Sequence, residues 1–340
     1  MKAAVYHGKH DLRVEEVADK NITEDEVLIE VRYCGVCGTD IHIFDGDGGS
    51  SDVHPPLIPG HEFSGVIAEV GSQVKNLSVG DRVSADPNVM CGKCHYCRNQ
   101  KEHFCVNNIG IGTTADGGFA EYIVMKASHV FRVPDHLDFI SAAMAEPISC
   151  CLHGIDLCHI KQGDTVLIIG GGPIGNIMLQ LAKNSGASSV ILSEPVKEKR
   201  ELALKLGADA AIDPIKEDLN AFLSNNTQNV DCVIECVGNV HTQEDAVRLA
   251  GKGATVMLFG LTGPDKKITI KPDDIFKKEL HITSSYINPY AFSRAIQILA
   301  SGMLDVKSLI TTVVPLERIT EVFTNPELRK SGKAMIRISE

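Results

Sequence analysis

Apolar positions change their rhythm near the middle of the chain. In the first third they alternate with polar ones over short stretches, as in Val27-Leu28-Ile29-Glu30-Val31 and Gly65-Val66-Ile67-Ala68-Glu69-Val70, punctuated by Gly, Pro and Asp. A period of two is that of half-buried strands, so this part reads as β-rich. From about residue 164 continuous apolar runs take over: Val166–Ile169, Val190–Leu192, Ala210–Ile212, Val230–Ile234, Thr255–Phe259 and Leu280–Ser284. Strands buried on both faces have this texture, and the stretches between them predict helices covering a parallel sheet.

Two of those helices can be read directly. Ile174, Ile177, Met178 and Leu181 fall at i, i+3, i+4 and i+7, one stripe of an amphipathic helix, and Gly186 stops it. A second helix begins near Lys197, carries Leu202, Ala203 and Leu206, and meets Gly207, a natural C-cap. The last 50 residues return to mixed texture, with a helix near Phe292–Ala300 and a closing strand at Ala334–Ile338. There is no internal repeat and no low-complexity segment.

At about 150 residues per domain, 340 residues imply two domains, each able to bury a core without disulfides. With 44% hydrophobic and 23% charged residues the chain is of ordinary globular type. Its formal charge of -11 supplies no basic footprint for nucleic acid or an anionic membrane. The uncharged run Val166 to Ala182 contains five helix-breaking Gly and Pro residues and reads as strand, turn and helix, not as a membrane span. Met1 to Tyr6 turns polar by His7 without building the apolar core of a signal peptide, so the thiols are expected in a reducing cytosol.

Gly170-Gly171-Gly172-Pro173-Ile174-Gly175 satisfies G-x-G-x-x-G in the context that gives this motif meaning. It follows a buried-type strand, opens the amphipathic helix, and is followed by Glu194 at the end of the next strand. The glycines allow a tight turn and close approach of a pyrophosphate to the helix N-terminus, while the acid accepts from ribose hydroxyls. An acid there disfavours a 2′-phosphate, so NAD is expected over NADP. Lys197, Lys199 and Arg200 lie just beyond and offer either a solvated helix face or a 2′-phosphate contact. The alternative for the whole motif is a glycine turn that binds no dinucleotide.

Eleven cysteines, about 3% of the chain, fall far below the density of a disulfide-stapled domain. Four of them, Cys91, Cys94, Cys97 and Cys105, fall within 15 residues. Four thiolates close the tetrahedral shell of a structural Zn²⁺, and an Fe-S cluster is the competing occupant. His95 and His103 in the same segment read as surface residues. A second set is scattered: Cys37 in Gly35-Val36-Cys37-Gly38-Thr39-Asp40, then Gly60-His61-Glu62, then Ala145-Glu146-Pro147. A thiolate, an imidazole and carboxylates make a mixed shell of the kind catalytic zinc uses, but spacing alone does not assemble them, and each has a bland reading as a buried thiol, core histidine or helix-start acid.

These motifs, with Gly117-Gly118-Phe119-Ala120-Glu121-Tyr122, occur in an order that resembles the zinc-dependent medium-chain dehydrogenases over nearly the whole chain. Glu62 directly after His61, and Glu146 where alcohol dehydrogenases of the better-known type carry a cysteine, look most like the polyol (sorbitol), threonine and butanediol branch. The resemblance implies an α/β fold. A doubly wound Rossmann sheet of six strands would form the NAD-binding domain at 150–289, and a β-rich GroES-like catalytic domain would comprise 1–149 and 290–340 and carry the lobe at 91–105. The active site would lie in the cleft between them.

It further implies two Zn²⁺ per chain. Cys37, His61 and Glu62 would ligate the catalytic one, with Glu146 holding its water or exchanging with it. Thr39 and His42 would pass the released proton to solvent, and Gly170, Gly172, Pro173, Ile174, Gly175, Glu194 and Arg200 would contact NAD. The implied reaction is reversible oxidation of a secondary alcohol, in a polyol, sugar alcohol or sugar-alcohol phosphate, to the ketone. Alternatives are a threonine or 2,3-butanediol dehydrogenase on the same scaffold and, from another class, a non-catalytic NAD-binding zinc protein. The implied partners are a small alcohol or ketone and further copies of the chain in a homodimer or homotetramer. One departure concerns substrate: sorbitol-type members carry an Arg-Tyr pair where this chain reads Tyr286-Ile287-Asn288-Pro289-Tyr290. The remaining thiols, Cys34, Cys150, Cys151, Cys158, Cys232 and Cys236, read as small buried hydrophobes.

Overall fold

The structure, a computed structural model, describes residues 1–47 and 53–340. The chain forms two compact units, Met1–Ser149 with Pro289–Glu340, and Cys150–Asn288. Among the described residues no helix is long and apolar enough to cross a membrane.

The first unit opens with an antiparallel pair, β1 (Lys2–Gly8) and β2 (Asp11–Glu16). Its main sheet then begins with β3 (Glu26–Gly35), β4 (Glu62–Val70) and β5 (Arg82–Ala85). A small pair, β6 (Asn88–Val89) with β7 (Ile109–Gly110), brackets the cysteine lobe, and β8 (Tyr122–Lys126) and β9 (Val130–Arg132) rejoin the main sheet. In β3 the alternation becomes geometry: Val27, Ile29 and Val31 are fully buried, and the residues between them are only half-buried. They join Phe63, Ile67, Phe119 and Met125 in the core of this unit.

The second unit is built from β10 (Thr165–Ile169), β11 (Ser189–Ser193), β12 (Ala210–Ile212), β13 (Cys232–Glu235), β14 (Thr255–Leu258) and β15 (His281–Ser284). All pair in parallel, in the order β12-β11-β10-β13-β14-β15. That order reverses between β10 and β13, the crevice where doubly wound sheets bind ligands. The two legible helices are Pro173–Asn184 and Lys197–Lys205, and positive φ values at Gly186 and Gly207 follow their ends. One run differs in environment from its apolar texture. β15 is the edge strand, and Ile282 is 36% exposed with His281 and Ser284 also exposed, because the sheet flanks it on one side only.

The chain then returns to the first unit through the helix Phe292–Ala300, β16 (Ile310–Pro315) and β17 (Lys333–Arg337). β17 is inserted between β16, in parallel, and the C-terminal end of β3, antiparallel, while β8 pairs with the N-terminal half of the same edge of β3.

Candidate active site

The register of β3 on β4 sets Gly35 opposite Glu62. Just beyond Gly35 the chain turns into the helix Gly38–Phe44 with Cys37 as its N-cap, and just before Glu62 lies His61. The two strand ends thus deliver three donors to one place. Ligand atoms of Cys37, His61 and Glu62 all lie within 4.8 Å of one another, with His61 and Glu62 buried.

Asp40, fully buried in the same helix, ties these segments together. Its carboxylate accepts from the Cys37 N–H at 2.8 Å and the Gly60 N–H at 3.3 Å, and one oxygen lies 3.5 Å from His61 Nδ1. Burial alone would lower the His61 pKa, but the negative charges of Asp40 and Cys37 outweigh it and hold the imidazole well above its ordinary range. His61 Nδ1 is buried without a hydrogen bond of normal geometry. A thiol, an imidazole and a carboxylate gathered this closely are a donor set that fits a zinc ion with one coordination position left open.

Behind Glu62 stands a residue to which nothing in the sequence draws attention. Lys333, at the start of β17, is buried, with its Nζ 2.6 Å from Glu62 Oε1 and in contact with Oε2. Burial would lower its pKa, yet Glu62 first, and Cys37 and Glu146 with it, push it up to about 12. Gly35 makes room for the pair: a Cβ there would collide with Glu62 Oε2 and press on Lys333 Cε at 3.0 Å.

Glu146 is buried in the first turn of the helix Ala145–Cys158 and is not one of the three close donors. Thr39 Oγ1 lies 3.8 Å from Cys37 Sγ, and His42, three residues on in the same helix, is exposed. Burial pushes the Cys34 and Cys236 thiols well above their ordinary range, and for Cys232 the neighbouring Cys158 thiol first, with burial after it, does the same, as befits inert packing residues.

The second donor cluster is Cys91, Cys94, Cys97 and Cys105, whose sulfurs also lie within 4.8 Å of one another. Backbone N–H groups of Cys91 and Asn107 point at Cys105 Sγ, each at 3.4 Å. N–H groups of Lys93 and Cys94 hold Cys91 down to about 6, whereas burial and the adjacent thiols push Cys97 up to about 12. Four thiols this close cannot all ionise without a cation among them, and four sulfurs so placed fit a closed tetrahedral metal site.

In the second unit the glycine turn follows β10. Gly170 has φ of +103°, and a Cβ on Gly175 would collide with the Gly170 carbonyl, so the helix Pro173–Asn184 packs on the turn only with glycine there. Pro173 occupies the first helical turn after the N-cap Gly172, and Ile174 follows it. Glu194 is buried, one carboxylate oxygen accepting from Gly171 N–H at 2.7 Å and the other from Val196 N–H at 2.9 Å. Each oxygen keeps a further acceptor site. Arg200 donates to the Glu194 carbonyl at 2.7 Å and pairs with Asp213 at 3.3 Å. Glu235, fully buried at the end of β13, accepts from Val237 N–H, Gly238 N–H and the Thr242 hydroxyl at 2.7–2.9 Å and so holds Val237 and Thr242, which line the opposite wall. Between them is a cavity of about 590 Å³ lined by Gly170, Glu194, Lys199, Val237, Asn239 and Arg248.

Comparison with known proteins places these features. Residues 23–135 match the family described as alcohol dehydrogenase GroES-like domain, and residues 173–301 match the family described as zinc-binding dehydrogenase. The chain is 38% identical to D-arabitol-phosphate dehydrogenase of Enterococcus avium over 92% of its own length and 90% of that protein's. Among solved structures, a Sinorhizobium meliloti chain bound to NADP superposes with a TM-score of 0.95 at 37% identity, covering 99% of both chains. A short chain alcohol dehydrogenase of E. coli CFT073 complexed with NADH gives 0.93 at 30%, also covering 99% of both. Fold, motifs and relatives agree, and the chain belongs to the zinc-binding medium-chain dehydrogenases, in the branch of the polyol and threonine dehydrogenases.

Proposed function

We propose that the protein oxidises a secondary hydroxyl of a sugar alcohol or its phosphate to the ketone, reversibly, with NAD as acceptor. The observation that carries this reading is the cluster of Cys37, His61 and Glu62 within 4.8 Å, three donors of a mixed shell with a fourth position open. When bound, zinc supplies Lewis acidity that lowers the pKa of an alcohol, and the dinucleotide supplies the two-electron acceptor.

The chain's own residues do the rest. Cys37, His61 and Glu62 hold the catalytic zinc, Asp40 orients His61, and Glu146 supports the open position with a second carboxylate. Thr39 takes the released proton and passes it to His42, whose exposed ring returns it to water. The lobe of Cys91, Cys94, Cys97 and Cys105 takes a second, structural zinc. Gly170, Gly172, Pro173, Ile174 and Gly175 present backbone to the pyrophosphate, Glu194 accepts from the ribose, and Arg200 fixes Glu194 by its carbonyl. The support for NAD over NADP is the buried Glu194 carboxylate facing the cavity.

The arabitol-phosphate relative and the absence of arginine from Tyr286 to Tyr290 favour a phosphorylated sugar alcohol over sorbitol as substrate. We assign the exposed edge strand β15 to pairing with a second copy, and the eleven free cysteines to a reducing cytosol.

The test replaces Cys37 by Ser and His61 by Ala and follows NAD reduction over polyols, polyol phosphates, threonine and diols. Turnover is lost while NADH still binds with unchanged fluorescence titration. Undiminished turnover in either variant refutes the metal assignment.

A further inference from the structure

Lys333 and Glu62 are separated by 271 positions, and their side chains are 7% and 1% exposed. Long side chains that carry a charge are almost never buried this far unless paired. The ion pair sits against the metal donors, not apart from them. Glu62 supplies one of the three clustered ligand atoms, and Cys37 and Glu146 are the other negative groups whose charge reaches Lys333. Both Glu62 oxygens contact the same ammonium group. The backbone is shaped for this contact as well, since any side chain at Gly35 would fill the space the pair occupies.

A carboxylate held this way has two cations to serve. Zinc entering between Cys37 and His61 must draw Glu62 against the pull of Lys333 and against the repulsion of a nearby positive charge. We infer that Lys333 is a positioning residue that competes with the metal for the Glu62 carboxylate and so sets how firmly Glu62 ligates. The inference rests on the metal centre proposed above.

Its sign differs from that of an ordinary support residue. Removing a group behind a metal ligand commonly weakens metal binding about 10- to 100-fold. Removing Lys333 does the reverse: the lone buried carboxylate destabilises the metal-free form, zinc relieves it, and affinity rises.

The experiment is equilibrium competition for zinc between a chromophoric chelator and the full-length protein, as wild type, K333M, E62Q and K333M/E62Q. C37S reports the four-cysteine lobe alone. Zinc binding at the Cys37 site tightens by at least about tenfold in K333M, and the same change in the E62Q background moves it less than twofold. Unchanged or weaker binding in K333M overturns the inference, as does an equal gain with and without Glu62. If K333M does not fold, Lys333→Gln, which leaves a polar neutral group beside Glu62, carries the same expectation. Equal zinc content in wild type and C37S instead shows that the metal centre itself is wrongly placed, and the inference falls with it.

Discussion

Replacing Asp40 by Ala probes how far the catalytic cluster depends on a residue that touches no substrate. Asp40 is fully buried and accepts from two backbone N–H groups, Cys37 at 2.8 Å and Gly60 at 3.3 Å. Each buried donor left without a partner costs about 1–3 kcal/mol, and the longer Gly60 contact belongs at the low end. The two together predict a loss of about 2–4 kcal/mol from the first unit. The same carboxylate faces His61 Nδ1 at 3.5 Å, so its removal also frees the imidazole to rotate, which is worth about 10- to 100-fold in metal affinity. Asp40→Asn keeps one acceptor oxygen but turns an NH₂ group towards the other donor, so it falls between wild type and Ala.

The chain has no Trp, so unfolding in urea is best followed by circular dichroism. Zinc retention after dialysis is measured on the same samples. With two units the transition is read with and without zinc, so that the metal-dependent part identifies the first unit. An Asp40→Ala protein within about 0.5 kcal/mol of wild type, retaining its zinc, would show that Asp40 neither satisfies those donors nor orients His61.

Other expectations concern the lobe and the nucleotide site. Cys94→Ser removes one zinc per chain and lowers the thermal midpoint with a smaller effect on turnover; full thermal stability after that loss contradicts a structural role. Gly175→Ala forces a Cβ against the Gly170 carbonyl and, at about 1–3 kcal/mol for overpacking, weakens NADH binding roughly tenfold in a fluorescence titration. Wild-type affinity there would mean that the helix moves aside freely. NAD binds more tightly than NADP, and Glu194→Ser narrows the gap because Lys199 lines the same cavity. A tighter NADP constant in wild type rules that assignment out.

How much of this was legible follows from how local each feature is. The glycine turn, its helix and the six apolar runs are set by neighbours within a few residues, so periodicity and spacing suffice. β15 was the exception in environment: Leu280–Ser284 has the texture of a central strand, but position in a sheet is not written into a five-residue run. The four-cysteine lobe is equally local. Cys37, His61 and Glu62 come together only through the pairing of β3 with β4, so family resemblance implies them and spacing does not. Asp40, Lys333 and Glu235 gave no signal. Each is a charged residue of a type normally at the surface, and each becomes significant only because strands distant in sequence close over it.

The place of β17 bears on the order in which the protein is made. The second unit is one continuous stretch, so all its strands are available to pair while the remainder of the chain is still being synthesised. The first unit has to wait. Its β3 can pair with β4 and β8 early, but the edge beside Cys34 and Gly35 stays open until residues 333–337 leave the ribosome. Cys37, His61 and Glu62 are synthesised more than 270 positions before the cation that faces Glu62. Any zinc captured by those donors before residues 333–337 pair with β3 would meet Lys333 only as β17 closes.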